Sequence, residues 1–178
     1  MPELAYLSLG SNVGDREGQL LDAIRRLGAV GRVQLVSPIY ETEPVDFTAQ
    51  PMFLNCVIAL ETSSRPAQLM QQLIAIEKAM GRERIQKKGP RTIDLDILLF
   101  GNEIVNTPDL MIPHPAMEKR RFVLQPLADI APEARHPLLG KAVRELLEDL
   151  PLGQSIRRWK EASDQRLTTS DEQRLTEE

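Results

Sequence analysis

The order of apolar and polar positions over the first hundred residues predicts strands that alternate with helices. Strands appear as short apolar or alternating runs between turn residues, and helices as apolar residues spaced three and four apart. The predicted elements are a strand at 4–10, a helix ending at Gly28, strands at 32–40 and 52–62, a helix from Pro66 to Gly81, and a strand at 92–101.

The pattern becomes irregular after Pro108, where a loop at 111–122 precedes shorter helical patterns around 120–130 and 141–149. The element order before that point is β-α-β-β-α-β, which is the order of the ferredoxin-like fold. We therefore predict the α+β class, with a ferredoxin-like βαββαβ sheet, helices packed on one of its faces and an irregular C-terminal extension. Because many unrelated activities share this fold, function has to be argued from individual residues.

Charge separates the end of the chain from the rest. Residues 161–178 hold six acidic and two basic residues, which account for the whole net charge of −4. We expect residues 1–160 to form a single domain and residues 161–178 to be an acidic, disordered tail. The neutral balance of residues 1–160 disfavours a nucleic-acid partner, because nucleic-acid-binding domains usually carry a basic excess.

Features linked to membranes and secretion are absent from the sequence pattern. The apolar runs are too short to cross a bilayer, and the first residues lack the basic start and apolar core of a secretory signal. The single cysteine, Cys56, lies in the apolar strand at 52–62, where we interpret it as a small core residue. We expect a cytoplasmic protein without a membrane partner.

Two carboxylates open the apolar strand at 92–101. Asp94 and Asp96 are two residues apart, so their side chains point to the same face of the strand. Such a pair on a rigid strand suits Mg²⁺, which takes oxygen ligands from one or two carboxylates and from substrate phosphates. The alternative is a strand that merely begins at the solvent edge, with its aspartates paired to Arg91 or Lys88.

The segment before this strand is strongly basic. Between residues 78 and 91 the basic residues are Lys78, Arg82, Arg84, Lys87, Lys88 and Arg91. Arginines beside a carboxylate-bound Mg²⁺ suit the neutralisation of phosphate charge during group transfer, although a solvated charged face is the alternative. The chain lacks a G-x-x-x-x-G-K-[ST] motif, so side chains rather than a P-loop would hold the phosphates.

Other polar residues allow both a functional and a structural interpretation. Phe53 and Asn55 share one strand face, where they would bind a flat heterocycle. The alternative is that Asn55 is a core residue whose amide is satisfied by the backbone. His114, between two prolines, is either a nucleotide contact or an exposed loop residue. Glu77 is either an acceptor for a nucleotide hydroxyl or a boundary residue of the second helix. The residues by themselves leave these alternatives open.

Five motifs, in this order, carry a resemblance to a known family: LGSNVGD, SPIYETEPV, QPMFLN, GRER followed by GPRTIDLDILLFG, and IPHPAMEKRRFVLQPL. From about Leu4 to Trp159 the chain resembles the 6-hydroxymethyl-7,8-dihydropterin pyrophosphokinases of folate biosynthesis. The resemblance implies a Mg²⁺-dependent diphosphotransferase that moves pyrophosphate from ATP to the hydroxymethyl group of the dihydropterin and releases AMP.

The resemblance also implies roles for individual residues. Asp94 and Asp96 would hold two Mg²⁺ ions, and Arg82 and Arg91 would act with them in catalysis. The implied ATP contacts are Glu77, Arg84, Arg91, His114 and Arg120. The implied pterin pocket consists of Thr42, Val45, Phe53, Asn55 and Phe122. We expect a monomer whose partners are its small-molecule substrates, ATP and the hydroxymethyl dihydropterin.

Two positions differ from familiar members of this family. Lys88 stands where a tryptophan usually precedes G-P-R, and Phe53 stands where a tyrosine is frequent.

Two other functional classes fit the sequence less well. A nucleotidyltransferase would place its G-S turn close in sequence to its D-x-D strand, whereas Ser11 and Asp94 are 83 residues apart. A non-catalytic nucleotide- or metal-binding module does not explain a heterocycle face beside a phosphate clamp.

Overall fold

The computed structural model of the chain describes residues 1–43, 51–81 and 92–160. Its elements, in chain order, are β1 (Glu3–Ser11), α1 (Arg16–Leu27), β2 (Arg32–Val36), β3 (Ile39–Thr42), β4 (Phe53–Thr62), α2 (Pro66–Ala79), β5 (Asp94–Phe100), β6 (Val105–Asn106), β7 (Met111–Ile112), a 3-10 turn (Met117–Lys119), α3 (Arg121–Ile130), α4 (Val143–Asp149) and β8 (Ile156–Lys160).

A six-stranded sheet organises the fold. Its strand order is β5-β1-β4-β3-β8, and β2 also pairs with β4. All of these pairings are antiparallel, and the mixed α and β class predicted from the sequence is confirmed. β6 and β7 form a separate two-stranded sheet just after β5.

The strand predicted at 32–40 is two strands, β2 and β3, separated by Ser37 and Pro38. The proline has no backbone N–H to donate to a ladder. Ser37 keeps the connection to β4, because its backbone N–H donates to the carbonyl of Val57 at 2.9 Å and its hydroxyl accepts from the backbone N–H of Val57 at 2.8 Å. A serine side chain thus continues the pairing where the backbone ladder is interrupted.

The first core layer lies between the sheet and the helices α1 and α2. Asp15 caps α1 by accepting a hydrogen bond from the backbone N–H of Gly18, and Pro66 occupies the first turn of α2. The apolar side of these helices packs on every second residue of β1, β4 and β5; the buried residues include Leu20, Leu27, Leu69, Leu73, Leu7, Leu9, Ile58 and Leu95.

Cys56 belongs to the same layer. The side chain is fully buried, and burial raises the pKa of its thiol to about 12. A thiol that remains protonated at neutral pH is a poor nucleophile. The structure therefore agrees with the interpretation of Cys56 as a small core residue.

The second core layer lies on the opposite face of the sheet, under α3 and α4. The helices predicted around 120–130 and 141–149 are confirmed, and they cover Val57 and Leu98 with an apolar cluster that includes Met117, Val123, Leu124, Leu127, Val143 and Leu146. The prediction of helices on one face therefore holds for α1 and α2 only. The physical reason is that β4 and β5 carry apolar residues on both faces of the sheet near Val57 and Leu98, so helices have to cover both faces there.

β8 extends the sheet beyond β3 and has no counterpart among the predicted elements. Its attachment is electrostatic as well as backbone-mediated. The carboxylate of Glu41 on β3 accepts from Arg157 of β8 at 2.7 Å and from Arg16 of α1 at 3.0 Å. The guanidinium of Arg16 also lies 5.3 Å from the centre of the Trp159 ring.

Within the three described ranges, no helix is long and apolar enough to cross a membrane. The predicted tail at 161–178 lies outside the described residues, so the domain limit at residue 160 stays a prediction.

Candidate active site

The residues predicted for the two substrates share one face of the sheet. Asp94 on β5 is opposite Gly10 on β1, and Gly10 is in turn opposite Asn55 on β4. Residues directly opposite each other in a sheet point to the same face, and so do residues two apart on one strand. Asp96 and Phe53 therefore face the same side as Asp94 and Asn55. Asp94 and Asn55 are two strand spacings apart, which is about 10 Å.

This face is divided into an apolar end and a polar end. α3 and α4 cover the apolar end at Val57 and Leu98. The polar end begins directly beside it, where Asp94 and Asp96 are half-buried and Ser8 is opposite Asp96. The two aspartates thus open an apolar strand next to the part of the face that α3 and α4 cover.

Gly10 leaves room on β1 for the side chains of Asn55 and Phe53. A β-carbon at this position would lie 2.8 Å from Oδ1 of Asn55 and 3.5 Å from a ring carbon of Phe53. The first distance is too short for a real side chain, so the site depends on the missing β-carbon. From the sequence, Gly10 is interpreted only as part of the turn between the first strand and helix. A glycine inside a strand pattern is the sequence feature that could have indicated a close approach of side chains here.

The amide of Asn55 has a fixed partner. Its Nδ2 donates to the hydroxyl oxygen of Thr42 on β3 at 2.6 Å, and both side chains are almost fully buried. At least one partner of this amide is therefore a side chain rather than the backbone. Phe53, two residues earlier on β4, is half-buried at the rim of the same surface. A flat ring lying on this surface would meet an aromatic face and an oriented amide.

The strand that carries the aspartates is held from its outer side by Glu77 of α2. Glu77 is only 2% exposed, and its Oε2 accepts a hydrogen bond from the backbone N–H of Leu95 at 3.0 Å. Leu95 lies between Asp94 and Asp96, and β5 is the first strand of the sheet order, so this N–H points away from β1. Glu77 therefore supports the strand directly behind the carboxylate pair.

His114, Arg120 and Phe122 lie beside the same end of β5. The backbone N–H of His114 donates to the carbonyl of Leu98 at 3.0 Å. Burial lowers the pKa of His114 and the charge of Arg120 lowers it further, whereas the carboxylate of Asp94 acts in the opposite direction. The guanidinium of Arg120 lies 5.6 Å from the centre of the Phe122 ring. The two residues predicted to contact different substrates thus contact each other.

The donor set fits Mg²⁺. In the part of the chain that the structure describes, no group of three or more metal-binding side chains occurs, so a closed metal site made by protein alone is absent there. Asp94 and Asp96 offer two half-buried carboxylates on one rigid face. Mg²⁺ is usually held in this way, with one or two carboxylates and with water and substrate phosphates completing the shell.

Four of the predicted site residues lie outside the described residues: Val45, Arg82, Arg84 and Arg91. Lys88 lies outside them as well. Their predicted roles stay predictions.

Comparison with known proteins gives one family. The family model of 7,8-dihydro-6-hydroxymethylpterin-pyrophosphokinase (HPPK) matches residues 6–132. Two bacterial 2-amino-4-hydroxy-6-hydroxymethyldihydropteridine pyrophosphokinases are similar to the chain. The Pseudomonas aeruginosa protein is 45% identical over 85% of this chain and 94% of its own length. The Bacillus subtilis protein is 48% identical over 73% of this chain and 79% of its own length.

Other relatives are much longer than this chain. The folic acid synthesis protein fol1 of Pneumocystis carinii is 44% identical over 83% of this chain, which spans only 20% of that protein. Among solved structures, wild-type Plasmodium falciparum HPPK-DHPS with pteroate matches with a TM-score of 0.66 at 18% identity, over 83% of this chain and 42% of that chain. At this identity the structural match shows a shared fold.

Proposed function

Because the chain belongs to the 7,8-dihydro-6-hydroxymethylpterin-pyrophosphokinase family, we propose that it transfers the β,γ-pyrophosphoryl group of ATP to the hydroxymethyl group of 6-hydroxymethyl-7,8-dihydropterin. The products are AMP and the dihydropterin diphosphate, an intermediate of folate biosynthesis. The observation that carries the proposal is the placement of an amide and aromatic surface and a carboxylate pair on the same sheet face.

The pterin ring lies on the amide end of this face. Phe53 and Phe122 hold its two faces, and the Asn55–Thr42 pair reads its polar edge, with Val45 lining the pocket. The support for this role is that the Asn55 amide is already oriented by Thr42, so little side-chain freedom is lost when a ring binds. A ring that lacks the matching polar edge would leave these buried groups without partners, which gives selectivity.

The ATP phosphates lie at the carboxylate end. Asp94 and Asp96 would hold Mg²⁺, for which we propose two ions; when bound, the metal would neutralise phosphate charge and lower the pKa of the attacking hydroxyl. Arg82, Arg84 and Arg91 supply further positive charge. Group transfer of this kind needs mainly positioning and electrostatic stabilisation, which these side chains provide.

The nucleotide is held by residues around the same end of β5. His114 and Arg120 contact ATP, and the proximity of His114 to both Arg120 and Asp94 supports this assignment. Glu77 also contacts the nucleotide, while its Oε2 supports β5.

We further infer that residues 1–160 are one catalytic domain that works as a cytoplasmic monomer, with 161–178 as an acidic tail. The order of β5, β1, β4 and β3 supports the ferredoxin-like description of the sheet.

Product identity tests the proposal. The protein is incubated with ATP, Mg²⁺ and 6-hydroxymethyl-7,8-dihydropterin, and both products are separated and identified. AMP with pterin diphosphate is the expected result. Formation of ADP, release of free pyrophosphate, or binding of both substrates without turnover would contradict it.

A further inference from the structure

The short segment between the 3-10 turn and α3 carries both Arg120 and Phe122. It is held by a side chain from a distant part of the chain. Oε1 of Gln154 accepts a hydrogen bond from the backbone N–H of Arg121 at 2.7 Å. Nε2 of the same side chain donates to the backbone carbonyl of Lys119 at 2.8 Å. The Gln154 amide thus hydrogen-bonds the backbone on both sides of Arg120, as an acceptor at Arg121 and as a donor at Lys119.

The segment needs such an external partner. Arg120 is the N-cap residue of α3, but its side chain makes no capping hydrogen bond. The first N–H groups of a helix have no partner within the helix and are usually satisfied by a side-chain oxygen. Gln154 supplies that oxygen from outside the helix. Arg120 itself has an extended backbone, with φ −118° and ψ 108°, so the chain changes direction at this residue.

Gln154 also connects this segment to the amide end of the site. Gly153, just before it, has φ +126°, a backbone conformation that favours glycine. Two residues after Gln154, Ile156 of β8 is opposite Thr42 of β3. The same short stretch therefore contacts the strand that orients Asn55 and the backbone that carries Arg120 and Phe122.

We propose that Gln154 is a positioning residue for the reaction, which sets Arg120 and Phe122 relative to Thr42 and so aligns the two substrate subsites. This inference rests on the proposed function. Gln154 touches neither substrate and acts through the backbone of residues 119–121. Its two hydrogen bonds are exposed to solvent, so their loss has little effect on stability and appears mainly in substrate binding.

The decisive variant is Gln154→Met, which keeps the side-chain length and removes both hydrogen bonds. We expect it to weaken binding of the pterin and of ATP about three- to tenfold each, the range for one or two exposed hydrogen bonds. Binding is measured by equilibrium titration, and the melting temperature is recorded in parallel. Gln154→Glu keeps the acceptor for Arg121 and loses the donor, so it should fall between wild type and Gln154→Met.

Gln34→Met is the matched control. Gln34 is also an exposed glutamine with a side-chain hydrogen bond, to Glu61, but it lies on β2, away from the site. It should bind both substrates like the wild type. A second readout is the combination with Arg120→Ala: once the guanidinium is absent, Gln154→Met should weaken ATP binding no further.

The outcomes separate this proposal from the proposed function. If the wild type forms AMP but Gln154→Met binds both substrates normally, or only lowers the melting temperature, the positioning role is overturned and the function stands. Fully additive effects of Gln154→Met and Arg120→Ala on ATP binding also overturn it. If the wild type forms no AMP, both proposals fail.

Discussion

The amide end and the carboxylate end of the site lie on the same sheet face but are built differently. Asn55 and Thr42 are on interior strands, are almost fully buried and hydrogen-bond each other at 2.6 Å. Asp94 and Asp96 are on the first strand of the sheet, are half-buried and are supported from behind by Glu77.

This difference follows from the chemistry of the groups. A neutral amide can be buried if its hydrogen bonds are satisfied, so it can be fixed before any ligand arrives. Two carboxylates cannot be buried together without a cation, so they remain at an accessible edge where metal and phosphates can complete the site. The amide end is thus preorganised by the protein, whereas the proposed metal and phosphates would complete the carboxylate end.

The largest effect is expected from breaking the carboxylate end. Asp96→Ala should lower kcat at least about 10³-fold, because it removes one of the two proposed Mg²⁺ ligands at the reacting phosphates. The variant should remain folded, which the melting temperature checks. Steady-state kinetics at saturating Mg²⁺ provide the measurement. Asp149→Ala, an exposed aspartate at the end of α4, is the control and should be fully active. Near-normal activity of Asp96→Ala would contradict the metal assignment.

Breaking the amide end should affect one substrate only. Asn55→Ala should weaken pterin binding about 10- to 100-fold and leave ATP binding unchanged, because it removes the oriented edge and leaves the Thr42 hydroxyl without its partner. The free energy of unfolding should fall by about 1–3 kcal/mol. Titration with each substrate separately checks the selectivity, and Asn102→Ala in an exposed turn is the control. Equal losses for both substrates would show that the two ends are not distinct.

A smaller effect is expected from Gly10→Ala, which introduces a β-carbon between the two ends. The new carbon would lie 2.8 Å from Oδ1 of Asn55, so the amide has to shift. We expect pterin binding to weaken about tenfold, with kcat reduced less than the binding constant. Gly140→Ala, at an exposed turn with φ +67°, is the control for backbone strain without contact to the site. Unchanged pterin binding would place the ring elsewhere on the face.

The smallest effect on turnover is expected at Glu77, where substitution tests the hydrogen bond that supports β5. Glu77→Gln keeps an oxygen acceptor for the backbone N–H of Leu95, whereas Glu77→Leu removes it. The leucine variant should lose about 1–3 kcal/mol of stability and several-fold in turnover, and the glutamine variant should lose much less.

Chemical denaturation and kinetics on both variants distinguish the two roles of Glu77. A rise in the KM for ATP with Glu77→Gln at unchanged stability would support the nucleotide contact. Equal stability of both variants would contradict the support of β5.

Periodic elements were predictable, whereas elements that depend on a neighbour were not. Leu20 and Leu27 in α1 and Leu69 and Leu73 in α2 follow the helical period, so the pattern alone identifies their buried sides. β8 has no comparable pattern in Ile156–Lys160; it is a strand because β3 offers an edge and Glu41 offers a counter-charge to Arg157. The break between β2 and β3 depends in the same way on the hydroxyl of Ser37 reaching Val57.

For the site, the sequence by itself determined which side chains share a strand face. Strand alternation is a local property of the backbone, so Asp94 pairs with Asp96 and Phe53 with Asn55 whatever the rest of the chain does. The motifs were likewise sufficient to identify the family. Only the tertiary structure decided that both pairs lie on the same face on either side of Gly10, that Glu77 supports the strand between the aspartates, and that Gln154 brackets Arg120. These facts depend on strand register and on contacts between residues far apart in sequence, and no local pattern encodes them.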